Sequence, residues 1–172
     1  MNVTVLREGE LEIHLASGMR GRRFDGADHG LSHCMKAVDF VVETAKRMYF
    51  IEVKDPEHRD APLRNREDFI DRFLSGNLDD DLVRKYRDSF LYQWAARDVR
   101  KPIAYIVLLA FADLDDALLL ERTDALRRSL PLQGPSGGVW KETIAASCNI
   151  FNLESFNRTM GDLRVARVPA HT

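Results

Sequence analysis

Apolar runs separated by short polar segments predict alternating strands and helices along this chain. The segments VTVL and LEIHL, at 3–6 and 11–15, flank a Gly-containing turn and predict a β-hairpin. The run CMKAVDFVVET is dense in Val and Phe, and after a short polar turn MYFIEVKD alternates apolar and charged residues. These two runs predict a second hairpin, which ends before Pro56 because proline has no N–H to donate to a strand ladder.

The rest of the chain alternates between helical and strand-like spacing. REDFIDRFL and LDDDLVRKYRDSFLYQWAARD predict two helices, the second with an apolar stripe formed by Leu82, Val83, Tyr86, Phe90 and Trp94. IAYIVLLAFA predicts a fully buried strand, DLDDALLLERTDALRRSL a helix, and AASCNIFNL, NLESFNRTM and LRVARV a strand, a short helix and a last strand. The segment 16–33 predicts a loop with a short strand around Arg22 to Phe24. The order predicts an α/β fold with a mixed sheet.

Length and composition narrow the class of protein. The 172 residues contain no Gly/Ser/Pro-rich linker or repeat, so we expect a single domain over residues 1–172. The longest apolar run is too short to span a bilayer, there is no signal peptide, and two cysteines are too few for a disulfide framework. We therefore expect a cytoplasmic protein without membrane association. The formal net charge of −2 neither indicates nor excludes nucleic-acid binding.

Three charged residues in the second hairpin form the candidate chemistry. Side chains alternate faces along a strand, so Glu52 and Lys54 share one face, and Asp39 on the preceding strand can lie near Glu52 across the hairpin. Two carboxylates at close range repel each other, and a divalent cation relieves that repulsion. Mg²⁺ is held in this way by one or two carboxylates, and a nearby lysine can orient a water molecule or stabilise charge on a phosphate. The pattern therefore predicts metal-assisted hydrolysis of a phosphodiester.

The stretch AVDFVVETAKRMYFIEVKD resembles the core of the PD-(D/E)XK nuclease superfamily. Members of that superfamily carry an Asp on the second core strand and Glu/Asp-x-Lys on the third, and Val38 stands here where the name has Pro. The resemblance implies a restriction-endonuclease-like mixed β-sheet flanked by helices. It implies Asp39 and Glu52, with the backbone carbonyl of Val53, as ligands of Mg²⁺ or Mn²⁺, and Lys54 as the residue that positions the attacking water.

Further site residues follow from the resemblance and from local charge. Many members have an additional Glu before the first core strand, and the candidates here are Glu8, Glu10 and Glu12. Some members place a Gln or Tyr on the helix after the third strand, as Gln93 and Tyr92 are placed here. GMRGRRF offers a flexible phosphate clamp, so the expected nucleic-acid-binding residues are Arg20, Arg22, Arg23 and Gln93. The expected partner is nucleic acid, DNA rather than RNA, with a homodimer or a protein complex holding the duplex.

Two other interpretations of the same residues stay open. Asp39, Glu52 and Lys54 are also compatible with a cross-strand ion pair on a half-exposed hairpin. The chain is also compatible with a catalytically silent nuclease-fold binding or regulatory subunit of a nucleic-acid-associated complex. Trp94 and Trp140 are expected in the core rather than as platforms on which bases stack.

Overall fold

The computed structural model describes residues 4–26, 30–132 and 134–168. Within these ranges it contains eight strands and four helices. In chain order they are β1 (Thr4–Glu8), β2 (Leu11–Leu15), β3 (Arg20–Arg23), β4 (Phe40–Glu43), β5 (Met48–Lys54), α1 (Leu63–Ser75), α2 (Asp79–Ala95), β6 (Ile103–Leu109), α3 (Asp116–Ser129), β7 (Ser147–Asn152), α4 (Leu153–Thr159) and β8 (Leu163–Arg167). Among the described residues no helix has the length and apolarity needed to cross a bilayer.

The strands form two sheets. The central sheet has the order β3-β4-β5-β6-β7, in which β3, β4 and β5 are antiparallel neighbours and β5, β6 and β7 are parallel. The connection from β5 to β6 contains α1 and α2, and the connection from β6 to β7 contains α3, as a crossover between parallel strands requires. The second sheet is antiparallel, with the order β1-β2-β8. The fold is thus mixed α/β, with two sheets and four helices.

Each face of the central sheet has its own apolar core. One face packs against α1, α2 and α3 through Val41, Phe50 and Tyr105 of the sheet and Phe73 and Tyr86 of the helices. The other face packs against the three-stranded sheet and α4. Its core residues include Phe40, Ile51, Val53, Ile13, Leu15 and Phe156. Because both faces are covered, a charged side chain in the middle of the central sheet is buried whichever way it points.

The predicted elements are present, with three differences. The run CMKAVDFVVET, predicted as a strand that includes Asp39, forms a strand only at Phe40–Glu43, so Asp39 lies directly before β4. The sequence predicted one mixed sheet, but the first hairpin pairs with β8 in a separate sheet because its apolar side chains need a covered face of their own. The loop predicted around residues 16–33 contains a regular edge strand, β3, which comprises all of Arg20–Arg23. The guanidinium of Arg167 also connects the two sheets, donating to both carboxylate oxygens of Asp55 at 2.7 and 2.8 Å directly after β5 ends.

The end of α2 carries a residue in a conformation that usually requires glycine. Arg97 has a φ of 59°, in the left-handed region. Its N–H donates to the Trp94 carbonyl oxygen at 3.0 Å, and the Asp98 N–H donates to the Gln93 carbonyl oxygen at 2.9 Å. This is the hydrogen-bond pattern of a Schellman motif, whose left-handed position favours Gly because Gly has no Cβ. By contrast, Gly76 occupies the left-handed position after α1, with a φ of 82°.

We expect the Arg97→Gly variant to be more stable than the wild type by about 1 kcal/mol, because glycine relieves the left-handed strain. The free energy of unfolding in urea measures the effect. Ala96→Gly is the matched control, because Ala96 is right-handed and its replacement should destabilise the protein instead. Loss of stability in both variants would show that the Arg97 side chain stabilises the turn by more than its backbone strain costs.

Candidate functional site

The hairpin of β4 and β5 brings Asp39 and Glu52 to one face of the central sheet. The register pairs Phe40 with Ile51, which places Asp39 at the position opposite Glu52. Asp39 Oδ2 accepts a hydrogen bond from the Val53 N–H at 2.6 Å, so the carboxylate lies against the end of the β5 backbone. In an extended strand the N–H and the carbonyl of one residue point to the same side, so the Val53 carbonyl faces the Asp39 side of β5.

Glu52 is the most deeply buried charged group of the site. Its relative exposure is 0%, and that of Asp39 is 5%. Lys54 Nζ lies 2.7 Å from Glu52 Oε1, and Lys85 Nζ, which reaches down from α2, lies 2.6 Å from the same oxygen. Lys85 Nζ also lies 3.4 Å from Asp39 Oδ1. The site therefore consists of two buried carboxylates covered by two ammonium groups.

The charges of the site shift the pKa of two of its groups. Burial, followed by the negative charge of Glu52, raises the pKa of the Asp39 carboxyl to about 7, although Lys85 and the Val53 N–H act in the opposite direction. Burial alone would lower the pKa of the Lys85 ammonium, but the charges of Glu52 and Asp39 outweigh it and raise that pKa above its ordinary value. Lys85 is therefore held as a cation between the two acids.

The donor set suits a small divalent cation. Glu52 Oε2 is buried and has no hydrogen-bond partner among the described residues, so it is a carboxylate oxygen with an unused lone pair. Mg²⁺ commonly takes one or two carboxylates, with water and substrate phosphate completing its shell. The described part of the chain has no cluster of three His, Cys, Asp or Glu side chains that could hold a metal. Asp39, Glu52 and the Val53 carbonyl thus fit a magnesium-type ion that keeps open positions, provided that Lys85 withdraws.

Lys85 was not among the residues predicted from the sequence. It lies in RKYR on the predicted amphipathic helix, where charged side chains normally face solvent. The available signal was its position next to the apolar stripe of α2, between Leu82 and Tyr86. That position lies at the border of the buried face, from which a long side chain can reach inward.

Two further cations lie next to Lys85 on the outer side of the site. Asp81, one helical turn before Lys85, accepts from Lys36 Nζ at 2.5 Å and from Arg72 Nη2 at 2.9 Å. Both cationic side chains are partly exposed, at 42% for Lys36 and 49% for Arg72. Lys36 and Arg72 are thus both held by Asp81, one turn along α2 from Lys85.

The predicted nucleic-acid-binding residues lie elsewhere on the molecule. Arg20 and Arg22 are on the exposed edge strand β3 and pair in register with Glu43 and Val41, so they point to the same face as Asp39. Arg23 points to the opposite face, where it contacts Glu8 and Asp25 and lies 5.4 Å over the Phe40 ring. These arginines form part of a regular strand, not of the flexible loop that was expected.

Gln93 is fully buried on α2, two helical turns beyond Lys85. Tyr92, the neighbouring candidate, packs edge-on against Phe24 with ring centroids 5.3 Å apart. Both residues therefore lie about two turns beyond Lys85 on α2.

The three candidates for an additional carboxylate ligand are paired with cations in the first hairpin. Glu8 contacts Arg23, Glu10 contacts Arg59 and Arg167, and Glu12 contacts Arg7 and His14. The three-stranded sheet to which this hairpin belongs packs against the other face of the central sheet. The hairpin glutamates are thus used in ion pairs away from the face that carries Asp39 and Glu52.

Both tryptophans are exposed, so their predicted core positions are wrong. Trp94 is 63% exposed and Trp140 is 40% exposed. Trp140 lines a cleft of about 1010 Å³ between α2 and residues 128–131, together with Arg84, Arg87 and Arg128 and with Asp80 and Asp88. Arginine and tryptophan side chains on one exposed cleft are the groups that bind backbone phosphates and stack on bases in single-strand binders.

Comparisons of the chain with protein-family models, with curated proteins and with solved structures found no match. Its function is therefore inferred from the chemistry of these residues alone.

Proposed function

We propose that this protein is a Mg²⁺- or Mn²⁺-dependent phosphodiesterase that cleaves nucleic acid. The observation that carries the proposal is the convergence of Asp39 and Glu52 with two lysines on one covered face of the central sheet. Burying two carboxylates is costly unless their charge is used or compensated. An open divalent-cation site beside a lysine is the use that this chemistry supports best.

The order of the elements also supports a restriction-endonuclease-like fold. An acid precedes the second strand of the antiparallel set β3-β4-β5, and Glu-x-Lys ends the third. Helices α1 and α2 then lead to β6, which pairs parallel to β5 along all seven residues of both strands. The resemblance to PD-(D/E)XK nucleases implies this order, with the first acid within the second strand, whereas Asp39 stands one residue before β4.

Each residue of the site has a role in the proposed reaction. Asp39, Glu52 and the Val53 carbonyl would hold the cation, which when bound supplies Lewis-acid charge for attack on phosphorus. Lys54 orients the attacking water from the end of β5. Lys85, once released from the carboxylates, would neutralise charge that develops on the phosphate oxygens.

Positive charge around the site favours a polyanionic substrate. Lys54 and Lys85 lie at the acid pair, and the cleft on the outer side of α2 is lined by Arg84, Arg87, Arg128 and Trp140 together with Asp80 and Asp88. Lysine and arginine side chains bind phosphates independently of sequence. We propose nucleic acid, with DNA as the expected form, as the substrate.

We expect the purified protein to cleave plasmid, linear duplex, single-stranded DNA or RNA in Mg²⁺ or Mn²⁺ but not in EDTA. Asp39→Asn and Lys54→Ala should lower the cleavage rate by about 100-fold or more, because they remove a cation ligand and the group that orients water. Gel electrophoresis of time courses measures the rate. Lys46→Ala, which removes an exposed lysine in the β4–β5 turn, is the matched control and should cut like the wild type.

Cleavage by the Asp39 and Lys54 variants at the wild-type rate would refute the proposed site. Circular dichroism of each variant shows that any loss of activity is not a loss of folding. A wild type that cuts none of these substrates in either metal would favour the second candidate function.

That second candidate is a catalytically silent subunit with the same fold, and one observation favours it. Lys85 bridges both carboxylates at 2.6 and 3.4 Å, so the charge of the acid pair is compensated without a metal. In a silent protein this bridge would be permanent. Calorimetric titration with Mn²⁺ distinguishes the two functions, because a permanent bridge predicts no binding that depends on Asp39.

A further inference from the structure

A second cavity opens at the edge strand β3, on the same face of the central sheet as the acid pair. Its volume is about 400 Å³. The floor is formed by the buried residues Val41, Met48 and Gln93, and the rim by Arg20, Gly21, Arg22, Glu43, Asp98 and Arg100. The floor residue Val41 is two residues from Asp39 on the same face, about 7 Å, whereas Gln93 is eight residues from Lys85 on α2, about 12 Å. The cavity thus lies beside the acid pair along β4, and Gln93 lies at its far end from Lys85.

The floor of this cavity carries an unpartnered carboxamide. Gln93 is 0% exposed, and neither its Nε2 nor its Oε1 has a hydrogen-bond partner among the described residues. Ser89, one turn earlier on the same buried face of α2, does have a partner, because its Oγ accepts from the Val38 N–H at 2.9 Å. A buried amide without partners lowers stability, and such a group in a folded protein calls for a specific explanation.

The rim of the cavity carries three arginines, Arg20, Arg22 and Arg100, and two acids, Glu43 and Asp98. The Glu43 carboxylate already forms ion pairs with two cations, Lys101 Nζ at 2.5 Å and Arg20 Nη2 at 3.5 Å. Arg22 lies 5.0 Å over the Phe24 ring, and within the described ranges neither Arg22 nor Arg100 forms an ion pair with a carboxylate. Both guanidinium groups are exposed and therefore available to an anion.

We propose that this cavity binds one nucleotide, with the base edge on the Gln93 carboxamide and the phosphate on the arginines of the rim. A carboxamide offers a donor and an acceptor side by side, which is the pattern that nucleobase edges complement. Guanidinium groups bind phosphate in a bidentate manner. The volume lies within the usual range for small-molecule sites. The nucleotide is either free or one unit of a strand, and the proposal does not depend on cleavage at Asp39 and Glu52.

Isothermal titration calorimetry in EDTA tests the proposal. The wild type is titrated with AMP, CMP, GMP and UMP, with inorganic phosphate, and with a short single-stranded oligonucleotide. We expect at least one nucleotide or the oligonucleotide to bind about tenfold or more tightly than phosphate, because phosphate cannot engage Gln93. Binding of mononucleotides identifies a free nucleotide as sufficient, and binding of the oligonucleotide alone identifies the ligand as part of a strand.

Variants of Gln93 on the floor and of Arg22 on the rim test the two parts of the cavity one at a time. Gln93→Leu should weaken binding of the nucleotide or oligonucleotide about tenfold or more while leaving thermal stability equal or higher, because it removes an unpartnered amide. Arg22→Gln should weaken binding of phosphate and nucleotide alike. Arg164→Gln, which alters an exposed arginine on β8, should bind like the wild type.

Three results would overturn the proposal: no binding of any ligand to the wild type, equal affinity for phosphate and all nucleotides, or unchanged affinity in Gln93→Leu. If Gln93→Leu does not fold, Gln93→Glu serves instead, since it keeps the size of the side chain and replaces its donor by a carboxylate that repels phosphate. Unchanged affinity in that variant would overturn the proposal equally.

Discussion

The Lys85→Met variant should lose about 3 kcal/mol of its free energy of unfolding in EDTA. Lys85 supplies an ammonium 2.6 Å from Glu52 Oε1, and Glu52 has no exposure to water. Removing one partner of a buried ion pair leaves the other charge uncompensated, which typically costs about 3–5 kcal/mol. Lys54 stays in place at 2.7 Å, so we expect the lower end of that range. Methionine keeps the length of the side chain and suits a helix. Urea unfolding followed by circular dichroism measures the change.

A matched control and a double variant isolate the cause. Arg84→Met alters the neighbouring residue, whose exposed pair with Asp88 at 3.6 Å contributes at most a few tenths of a kcal/mol. Combining Lys85→Met with Glu52→Gln should recover much of the lost stability, because the fully buried charge of Glu52 that Lys85 compensates is then removed as well. If Lys85→Met costs no more than Arg84→Met, the bridge has no energetic role.

Adding Mg²⁺ to the Lys85→Met variant tests the proposed cation site separately. A cation bound by Asp39 and Glu52 would replace the missing positive charge, so the midpoint of unfolding should rise more than in the wild type. An equal response of both proteins would argue against competition between Lys85 and the metal.

The second large effect is a dependence of stability on pH that Asp39 causes. Burial raises the pKa of Asp39 to about 7 in the folded protein, whereas the ordinary value is 3.8. Between these values the folded state holds a proton that the unfolded state has released, so stability falls as pH rises from about 4 to 7. Each pH unit of this interval corresponds to about 1.4 kcal/mol, so the full effect is of the order of 4 kcal/mol.

The comparison of wild type with Asp39→Asn, unfolded in urea with EDTA from pH 4 to 8, reveals this contribution. Asparagine resembles the protonated acid, so the variant should gain stability relative to the wild type up to about pH 7, and the difference should then level off. Glu43→Gln is the matched control. The hydrogen bond from Lys101 lowers the pKa of the Glu43 carboxyl. The stability that Glu43 contributes is therefore lost only as the pH falls below the ordinary pKa of a glutamate. A difference for Asp39 that is flat or that declines with pH would show that Asp39 is ionised throughout.

The sequence allowed most of the elements to be predicted, because their signals are local. The capping residue Asn152 at the start of α4 and Gly76 after α1 mark helix ends through their own backbone and side-chain chemistry. The hairpin of β4 and β5 follows from two apolar runs and a short turn. Asp39 and Glu52 could be assigned to one face because the alternation of side chains along a strand is a fixed property of its geometry.

The buried face of α2 was predicted only in part. The stripe 82-86-90-94 advances four residues at each step, and each step turns the position by about 40° around the helix, so its last member points away from the sheet. The face that is buried runs through Leu82, Tyr86, Ser89 and Gln93, alternating steps of four and three. Two of these residues are polar, so a pattern of apolar positions could not reveal them. Trp94 is exposed for the same reason.

Lys85 and the cavity of Gln93 depend on tertiary placement that no local pattern encodes. Only the packing of α2 across β4 and β5 brings the Lys85 ammonium to carboxylates that lie 33 and 46 residues earlier in the chain. The separate sheet of β1, β2 and β8 likewise depends on a pairing between strands at opposite ends of the described chain.

That pairing has a consequence for the order in which the protein can fold. Strand β2 can pair with β1 early, since a short turn joins them, but its other edge stays open until β8 arrives. Contacts between such distant segments form slowly, and an open edge that carries Leu11, Ile13 and Leu15 invites pairing with other chains. The docking of β8 also brings Arg167 to Asp55, beside Lys54 at the end of β5. The docking of β8 thus closes an open apolar strand edge and anchors the strand that carries Glu52 and Lys54.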